Sequence, residues 1–188
     1  MLRTLPQTRD FGLAYRLAAV AVFTLLTAVA ARVVIPMEPV PFTLQPLAVM
    51  LAGLVLGWRD GALSQLAYVA LLAAGLPVDA RGLGAAALVG PTAGYIFGFV
   101  AAAAVTGYLA QTGSDHLWRR WLAGVAGIAV MYAVGVPYLK LVTGLDWPAA
   151  WAAGAAPFLV PDLAKAVIAA ALSEGGRSLL LRGMTTNV

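Results

Sequence analysis

An aspartate and a lysine stand three residues apart in an apolar stretch near the end of the chain, in the sequence PDLAKA. On a helix, Asp162 and Lys165 would share one face. A charged side chain at membrane depth costs about 2.5–3.5 kcal/mol on insertion scales, so such residues usually mark a functional site. The pair offers a hydrogen-bond acceptor beside a donor, which suits a polar ligand. The alternative is a capping carboxylate with an interfacial lysine, and the residues leave both interpretations open.

A proline-rich segment, PMEPVPFTLQP at residues 36–46, separates two strongly apolar runs. Its four prolines interrupt any helix and favour extended backbone. Irregular backbone at membrane depth is tolerated only where it is buried in protein or lines a cavity. The segment therefore predicts a lid over a binding pocket, with Thr43 and Gln45 as candidate substrate-binding side chains. A proline-rich loop at the membrane surface is the alternative.

A third motif, GPTAGYIFG, places Gly90, Gly94 and Gly98 at intervals of four. This spacing favours a smooth helix face for close packing. Thr92 and Tyr95 are three residues apart and either face the pocket or satisfy local backbone groups.

Two pairs of small residues have the spacing that marks helix–helix contacts in lipid. Ala14 and Ala18 form one pair, and Gly53 and Gly57 form the other. The partner helix belongs either to this chain or to another subunit, and spacing does not decide between them.

The composition is that of a single membrane domain. The 188 residues are 62% hydrophobic and only 11% charged, against roughly 25% charged in soluble domains. The net charge of +4 fits basic loops on one side of a membrane better than nucleic-acid binding. No cysteine is present, no metal-ligand cluster is visible, and the lone His116 stands beside arginines. Neither a phosphate-binding P-loop nor a membrane-depth nucleophile–base pair occurs, so the sequence does not predict an enzyme.

The apolar runs predict an all-α membrane protein with six spans. They fall at residues 14–35, 47–57, 61–76, 91–111, 121–142 and 157–181, with a polar turn at residues 58–60. Eight of the twelve basic residues lie on one side of this arrangement, which predicts that both termini are cytoplasmic. Most prolines then fall in the outer half, so the pocket should open outward.

The runs PMEPVPFTLQPLAVMLAGLVLGWRDGALSQLAYVALLAAGLPV, GPTAGYIFGF and PFLVPDLAKA occur in this order. In these runs the chain resembles the BioY family, the biotin-specific S components of energy-coupling factor (ECF) vitamin transporters. The resemblance implies the six-helix S-component fold with biotin held at the extracytoplasmic side. It also implies that the first loop caps the pocket and that Asp162 and Lys165 contact biotin.

For the carboxylate of biotin the resemblance gives no secure partner. Some relatives use an arginine near the start of the fourth helix, where this sequence has Pro91 and Thr92. Arg81, Thr92 and Tyr95 are therefore the candidates.

The family also implies partners: a coupling transmembrane subunit and two ATPase subunits in a bacterial cytoplasmic membrane. Ala14 and Ala18 loosely fit the face that meets the coupling subunit. Biotin is the transported ligand, and neither a cofactor nor a metal is expected. A homo-oligomer stays open, as do a self-sufficient secondary carrier of biotin and an S component for another small vitamin.

Overall fold

The computed structural model describes residues 12–112 and 116–185. These residues are mostly helical, which confirms the predicted helical membrane protein. The helices are α1 (Leu13–Arg32), α2 (Gln45–Ala73), α3 (Ala93–Thr112), α4 (Leu117–Thr143), α5 (Trp147–Gly154) and α6 (Leu159–Thr185). A 3-10 helix, Gly84–Leu88, lies in the connection before α3.

Within the described residues, four helices are long and apolar enough to cross a membrane, namely α1 to α4. α5 and the first part of α6 form a fifth candidate as one span bent by 45°. The structure therefore supports four or five candidate membrane spans among the described residues. The predicted count of six stays a prediction.

α2 reverses direction at Gly57, whose φ of 81° and ψ of 179° are not helical. The two arms lie side by side: a Cβ on Gly61 would come within 3.0 Å of the Gly53 Cα. Farther along, Gln45 Nε2 lies 2.8 Å from Tyr68 Oη. The predicted polar turn at residues 58–60 is wrong, because a single glycine with positive φ makes the reversal and residues 58–60 already belong to the second arm.

The segment before α2 is more ordered than the irregular loop predicted at residues 36–46. A two-stranded antiparallel sheet pairs β1 (Val34–Ile35) with β2 (Phe42–Thr43). α1 ends at Arg32, where the sequence predicted residue 35, because the β-branched residues that follow pair as a strand. α2 begins at Gln45 with Pro46 in its first turn, a position that tolerates proline. We call residues 36–46 the lid.

Glycines let the helices approach closely at the end of the bundle opposite the lid. A Cβ on Gly53 would lie 2.5 Å from the Ala103 carbonyl oxygen, and one on Gly107 would lie 2.5 Å from the Trp58 nitrogen. In α3, Gly94 and Gly98 face backbone and side chains of α4, so these two glycines serve packing. α2, α3 and α4 are consequently packed closely against one another.

α1 is the least enclosed of the four candidate spans. Only 28% of its apolar window is buried, against 50–56% in α2, α3 and α4. Its inner face is held by polar contacts to the second arm of α2: Thr24 donates to the Ser64 carbonyl at 2.9 Å, and Gln65 donates to Thr27 at 3.1 Å. Ala14 and Ala18 lie on its exposed face and are free of that packing.

Candidate functional site

One cavity opens at the end of the bundle where α1 ends and α6 begins. The lid covers it, and α3, α4, α6 and the connection after α2 form its walls. It contains about 630 Å³ of empty space, a volume that includes its open mouth. Each of the seven predicted substrate-binding residues lines it: Arg81, Asp162, Gln45, Lys165, Thr43, Thr92 and Tyr95.

Asp162 and Lys165 form a buried ion pair in the first turns of α6. Lys165 Nζ lies 2.5 Å from Asp162 Oδ1, and their side chains are only 6% and 2% exposed. The Tyr132 hydroxyl, from α4, donates to the other carboxylate oxygen, Oδ2, at 2.6 Å. Because both oxygens already accept a hydrogen bond, the carboxylate is fixed in orientation before any ligand enters.

Lys165 also joins α6 to the lid. Its ammonium donates to the Thr43 carbonyl at 2.8 Å and lies 3.9 Å from the centre of the Phe42 ring. An ammonium has three N–H donors, and two of them are used by Asp162 and Thr43. Among the residues that the structure describes, no acceptor takes the third, which leaves it for an acceptor in the cavity.

The inner end of the lid is fixed by a chain of polar side chains. The Gln45 amide donates to the Tyr68 hydroxyl at 2.8 Å, and that hydroxyl donates to the Val78 carbonyl at 3.3 Å. The Thr43 hydroxyl accepts from the Gln45 backbone N–H at 3.2 Å. These bonds hold the lid to the second arm of α2 and to the connection that follows it.

At the cavity mouth, Arg81 reaches across to the lid. Its guanidinium pairs with the Glu38 carboxylate at 2.9 Å, where the side chains are 31% and 82% exposed. Asp79, a buried carboxylate, accepts hydrogen bonds from the backbone N–H groups of Arg81 (3.0 Å) and Gly84 (2.8 Å). The base of Arg81 is therefore held in place while its charged head lies at the rim.

The remaining walls are aromatic and aliphatic. Tyr95 donates to the Gly154 carbonyl at 2.9 Å, which ties α3 to α5, and Thr92 lies beside it on the wall. Phe158 packs near Phe42 of the lid with ring centres 6.4 Å apart. The other apolar lining residues include Ile96, Phe99 and Met131.

This arrangement suits binding and orientation of a small amphipathic molecule. Acceptor and donor groups lie deep in the cavity, a cation lies at its mouth, and apolar surface separates them. Among the described residues, no group of three or more histidine, aspartate or glutamate side chains could hold a metal ion.

Sequence reasoning missed Tyr132, Tyr68 and Asp79 as parts of the site, and it missed Glu38 as the partner of Arg81. Tyr132 stands in the middle of an apolar helix, where an aromatic residue gives no sign of which way it faces. Asp79 and Glu38 did carry a signal, since few carboxylates occur in this chain. Glu38 stands within the predicted lid, and Asp79 stands two residues before Arg81.

Comparison with known proteins adds to this geometry. The model of the BioY family matches residues 4–182. The chain belongs to the BioY family. Its sequence is 44% identical over 160 residues to the biotin transporter BioY of Thermotoga maritima, covering 84% of this chain and 93% of that protein. It is 42% identical over 152 residues to the biotin transporter BioY of Rhizobium etli, covering 76% and 79%.

The BioY resemblance extends to the fold. A crystal structure of the S component for biotin from an ECF-type ABC transporter superposes with a TM-score of 0.80 and 26% sequence identity. The match covers 88% of this chain and 92% of that one. The predicted family is thereby confirmed, and BioY proteins are transporters and not enzymes.

Proposed function

We propose that this BioY protein binds biotin in the lidded cavity and serves in biotin uptake as the S component of an ECF-type transporter. The observation that carries the proposal is the buried Asp162–Lys165 pair inside the cavity, in a chain whose relatives are named biotin transporters. A buried pair in an apolar helix needs a compensating role. Binding a polar ring supplies that role.

The deep end of the cavity matches the ureido ring of biotin, which has two N–H donors and one carbonyl acceptor. Asp162 accepts from the ring N–H groups, and the third N–H of Lys165 donates to the ring carbonyl. Thr43 and Gln45, on the lid side, complete the polar surround. Both charged groups are already oriented by other bonds, so little ordering is needed when the ligand enters.

The rest of the molecule matches the other walls. The thiophane ring and aliphatic chain contact apolar and aromatic side chains such as Phe99 and Phe158, as is usual in ligand pockets. The carboxylate points to the mouth, where Arg81 is the cation. Thr92 and Tyr95 lie between the two ends as hydroxyl contacts along the chain.

Calorimetric titration of the purified protein in detergent with biotin, with thiamine and riboflavin as controls, tests the binding site. We expect selective biotin binding. Folded protein that binds thiamine or riboflavin in preference to biotin would show an S component for a different vitamin. Folded protein that binds none of the three would contradict the proposal.

We also propose six membrane crossings, with each arm of α2 counted separately, in the bacterial cytoplasmic membrane. Both termini are then cytoplasmic and the cavity opens outward. The chain has no cysteine, so single introduced cysteines report sidedness directly. Glu38→Cys should react with an impermeant maleimide in intact cells, and Arg59→Cys only after permeabilisation. The reverse pattern would invert the orientation.

Transport requires partners in this proposal: a coupling transmembrane subunit and two ATPase subunits. Ala14 and Ala18, exposed on the least enclosed helix, supply a smooth face for the coupling subunit. Biotin uptake into proteoliposomes that contain only this chain would point instead to a self-sufficient carrier. Ala18→Trp should reduce co-purification with the coupling subunit and leave biotin affinity unchanged. If Ala18 instead lay in a contact between two copies of this chain, the substitution would change the molecular mass of the protein's own oligomer.

A further inference from the structure

We infer that Glu38 competes with anionic ligands for Arg81: it is the resident counter-ion of Arg81, and a ligand carboxylate replaces it. The inference rests on the proposed function, since it takes biotin as the ligand and places its carboxylate at the cavity mouth. Beyond the proposed function, it states that the ligand carboxylate takes the place of the Glu38 carboxylate at the Arg81 guanidinium.

Among the described residues, the Arg81 side chain donates hydrogen bonds only to the lid, and one nitrogen, Nη2, makes them all. Nη2 donates to the Glu38 carboxylate at 2.9 Å, to the Pro39 carbonyl at 3.0 Å and to the Met37 carbonyl at 3.3 Å. A guanidinium has five N–H donors on three nitrogens. Within the described part of the chain, Nε and Nη1 of Arg81 have no acceptor, and Arg81 lines the cavity.

Among the described residues, neither of the two carboxylates that line the cavity is paired with the Arg81 guanidinium. Asp79 is buried, and its two oxygens accept the backbone N–H groups of Arg81 and Gly84. The other carboxylate of the cavity, Asp162, is paired with Lys165. Glu38 is therefore the carboxylate that balances the Arg81 head group.

The difference in exposure sets the direction of the exchange. The Glu38 side chain is 82% exposed, so it returns to water with little loss, and exposed ion pairs contribute little stability. A ligand carboxylate in the cavity is less hydrated and can accept two parallel bonds from the arginine fork, which are stronger than a single bond. A ligand that carries a carboxylate therefore displaces Glu38, whereas a neutral analogue leaves the Glu38–Arg81 pair intact.

The exchange need not release the lid. The Met37 and Pro39 carbonyls accept hydrogen bonds from the same guanidinium. They are neutral, whereas the ligand carboxylate replaces the negative charge of Glu38. On the far side of the cavity, Lys165 still holds the Thr43 carbonyl. The lid therefore stays over the cavity while its carboxylate turns outward.

The test compares biotin with its neutral amide on two variants. Removing the competing anion in Glu38→Gln should tighten biotin binding about 2- to 5-fold and leave biotin amide unchanged. Removing the cation in Arg81→Gln should weaken biotin about 10- to 100-fold and change biotin amide much less. The opposite signs of the two biotin effects are the signature of exchange.

The matched control is Arg32→Gln. Arg32 stands at the same end of the bundle and donates to the Pro77 carbonyl, but it does not line the cavity. This variant should leave the affinity ratio of biotin to biotin amide as in the wild type.

If Arg81 and Glu38 served only to hold the lid, both variants would weaken biotin and its amide together. That pattern, or a Glu38→Gln affinity for biotin equal to or below that of the wild type, overturns the inference. A wild-type protein that binds neither biotin nor its amide would instead remove the proposed function. The two failures are therefore distinguishable.

Discussion

The two ends of the helix bundle are built on different principles. The end opposite the lid is closed by glycines, where backbone of α2 contacts backbone of α3, and by the ion pair of Arg16 with the buried Asp60 at 2.6 Å. The cavity end is held by side chains that reach to loops, as Lys165 reaches Thr43 and Arg81 reaches the lid. One end is a scaffold closed by packing and an ion pair, and the other keeps donors for a ligand. Substitutions at the two ends should therefore separate loss of stability from loss of binding.

The largest effect should come from Lys165→Met. This change leaves the buried Asp162 without its cation, and breaking a buried pair costs about 3–5 kcal/mol. We expect biotin binding to be abolished in calorimetry and the thermal unfolding temperature in detergent to fall. In the double variant Lys165→Met with Asp162→Asn, stability should recover and binding should not. Recovery of both would show that the pair serves stability alone.

The second-largest loss of biotin affinity should come from Tyr132→Phe, which removes the hydrogen bond to Asp162 Oδ2. Hydrogen bonds to charged groups contribute about 1.5–3 kcal/mol, so biotin affinity should fall roughly 10- to 100-fold. The matched control is Tyr95→Phe, which removes a bond to a neutral carbonyl in the same cavity and should cost less. Equal losses would contradict the orienting role of Tyr132.

At the opposite end, Gly53→Ala or Gly107→Ala should lower stability and leave biotin affinity unchanged. The added methyl group meets backbone atoms at 2.5 Å in both cases, and such overpacking costs about 1–3 kcal/mol. Gly12→Ala, which meets nothing within 4 Å, is the control in thermal unfolding. A change in biotin affinity at unchanged stability would break the proposed division between the two ends.

The smallest effect should come from Thr92→Val. Thr92 lines the cavity but makes no side-chain hydrogen bond among the described residues, so the substitution leaves no protein group unpaired. We expect a loss of biotin affinity of about 1 kcal/mol or less and no change in unfolding temperature. A loss of biotin affinity as large as that of Tyr132→Phe would show that Thr92 is one of the main contacts of biotin.

The sequence predicted the cavity lining better than the chain path. Asp162 and Lys165 were visible because charged residues in an apolar helix are rare, and Arg81 was a candidate because the resemblance left the biotin carboxylate without a partner. Their placement in one cavity is observed, and their contact with biotin stays a prediction. Tyr132 was not visible, since an aromatic residue in an apolar helix faces lipid, core or cavity with the same sequence pattern.

The course of the chain around the lid was harder to predict. The prolines correctly indicated a break after α1, but two residues on each side of the loop pair as short strands. Strand pairing depends on a partner that local sequence does not specify. Similarly, the Gly53–Gly57 pair was interpreted as a helix-packing motif. Only the positive φ of Gly57 in the structure shows that α2 reverses direction there.

The reversal at Gly57 has a further consequence for the lipid around the protein. At 1.5 Å per residue, the two arms, residues 45–56 and 58–73, are about 18 Å and 24 Å long, whereas a typical hydrocarbon core is about 30 Å thick. Hydrophobic elements that are too short are accommodated by local bilayer thinning, at a fraction of a kcal/mol per Å. The protein should therefore be most stable in lipids with short acyl chains. The thickness of the bilayer should then affect how firmly α2 is held as a wall of the site.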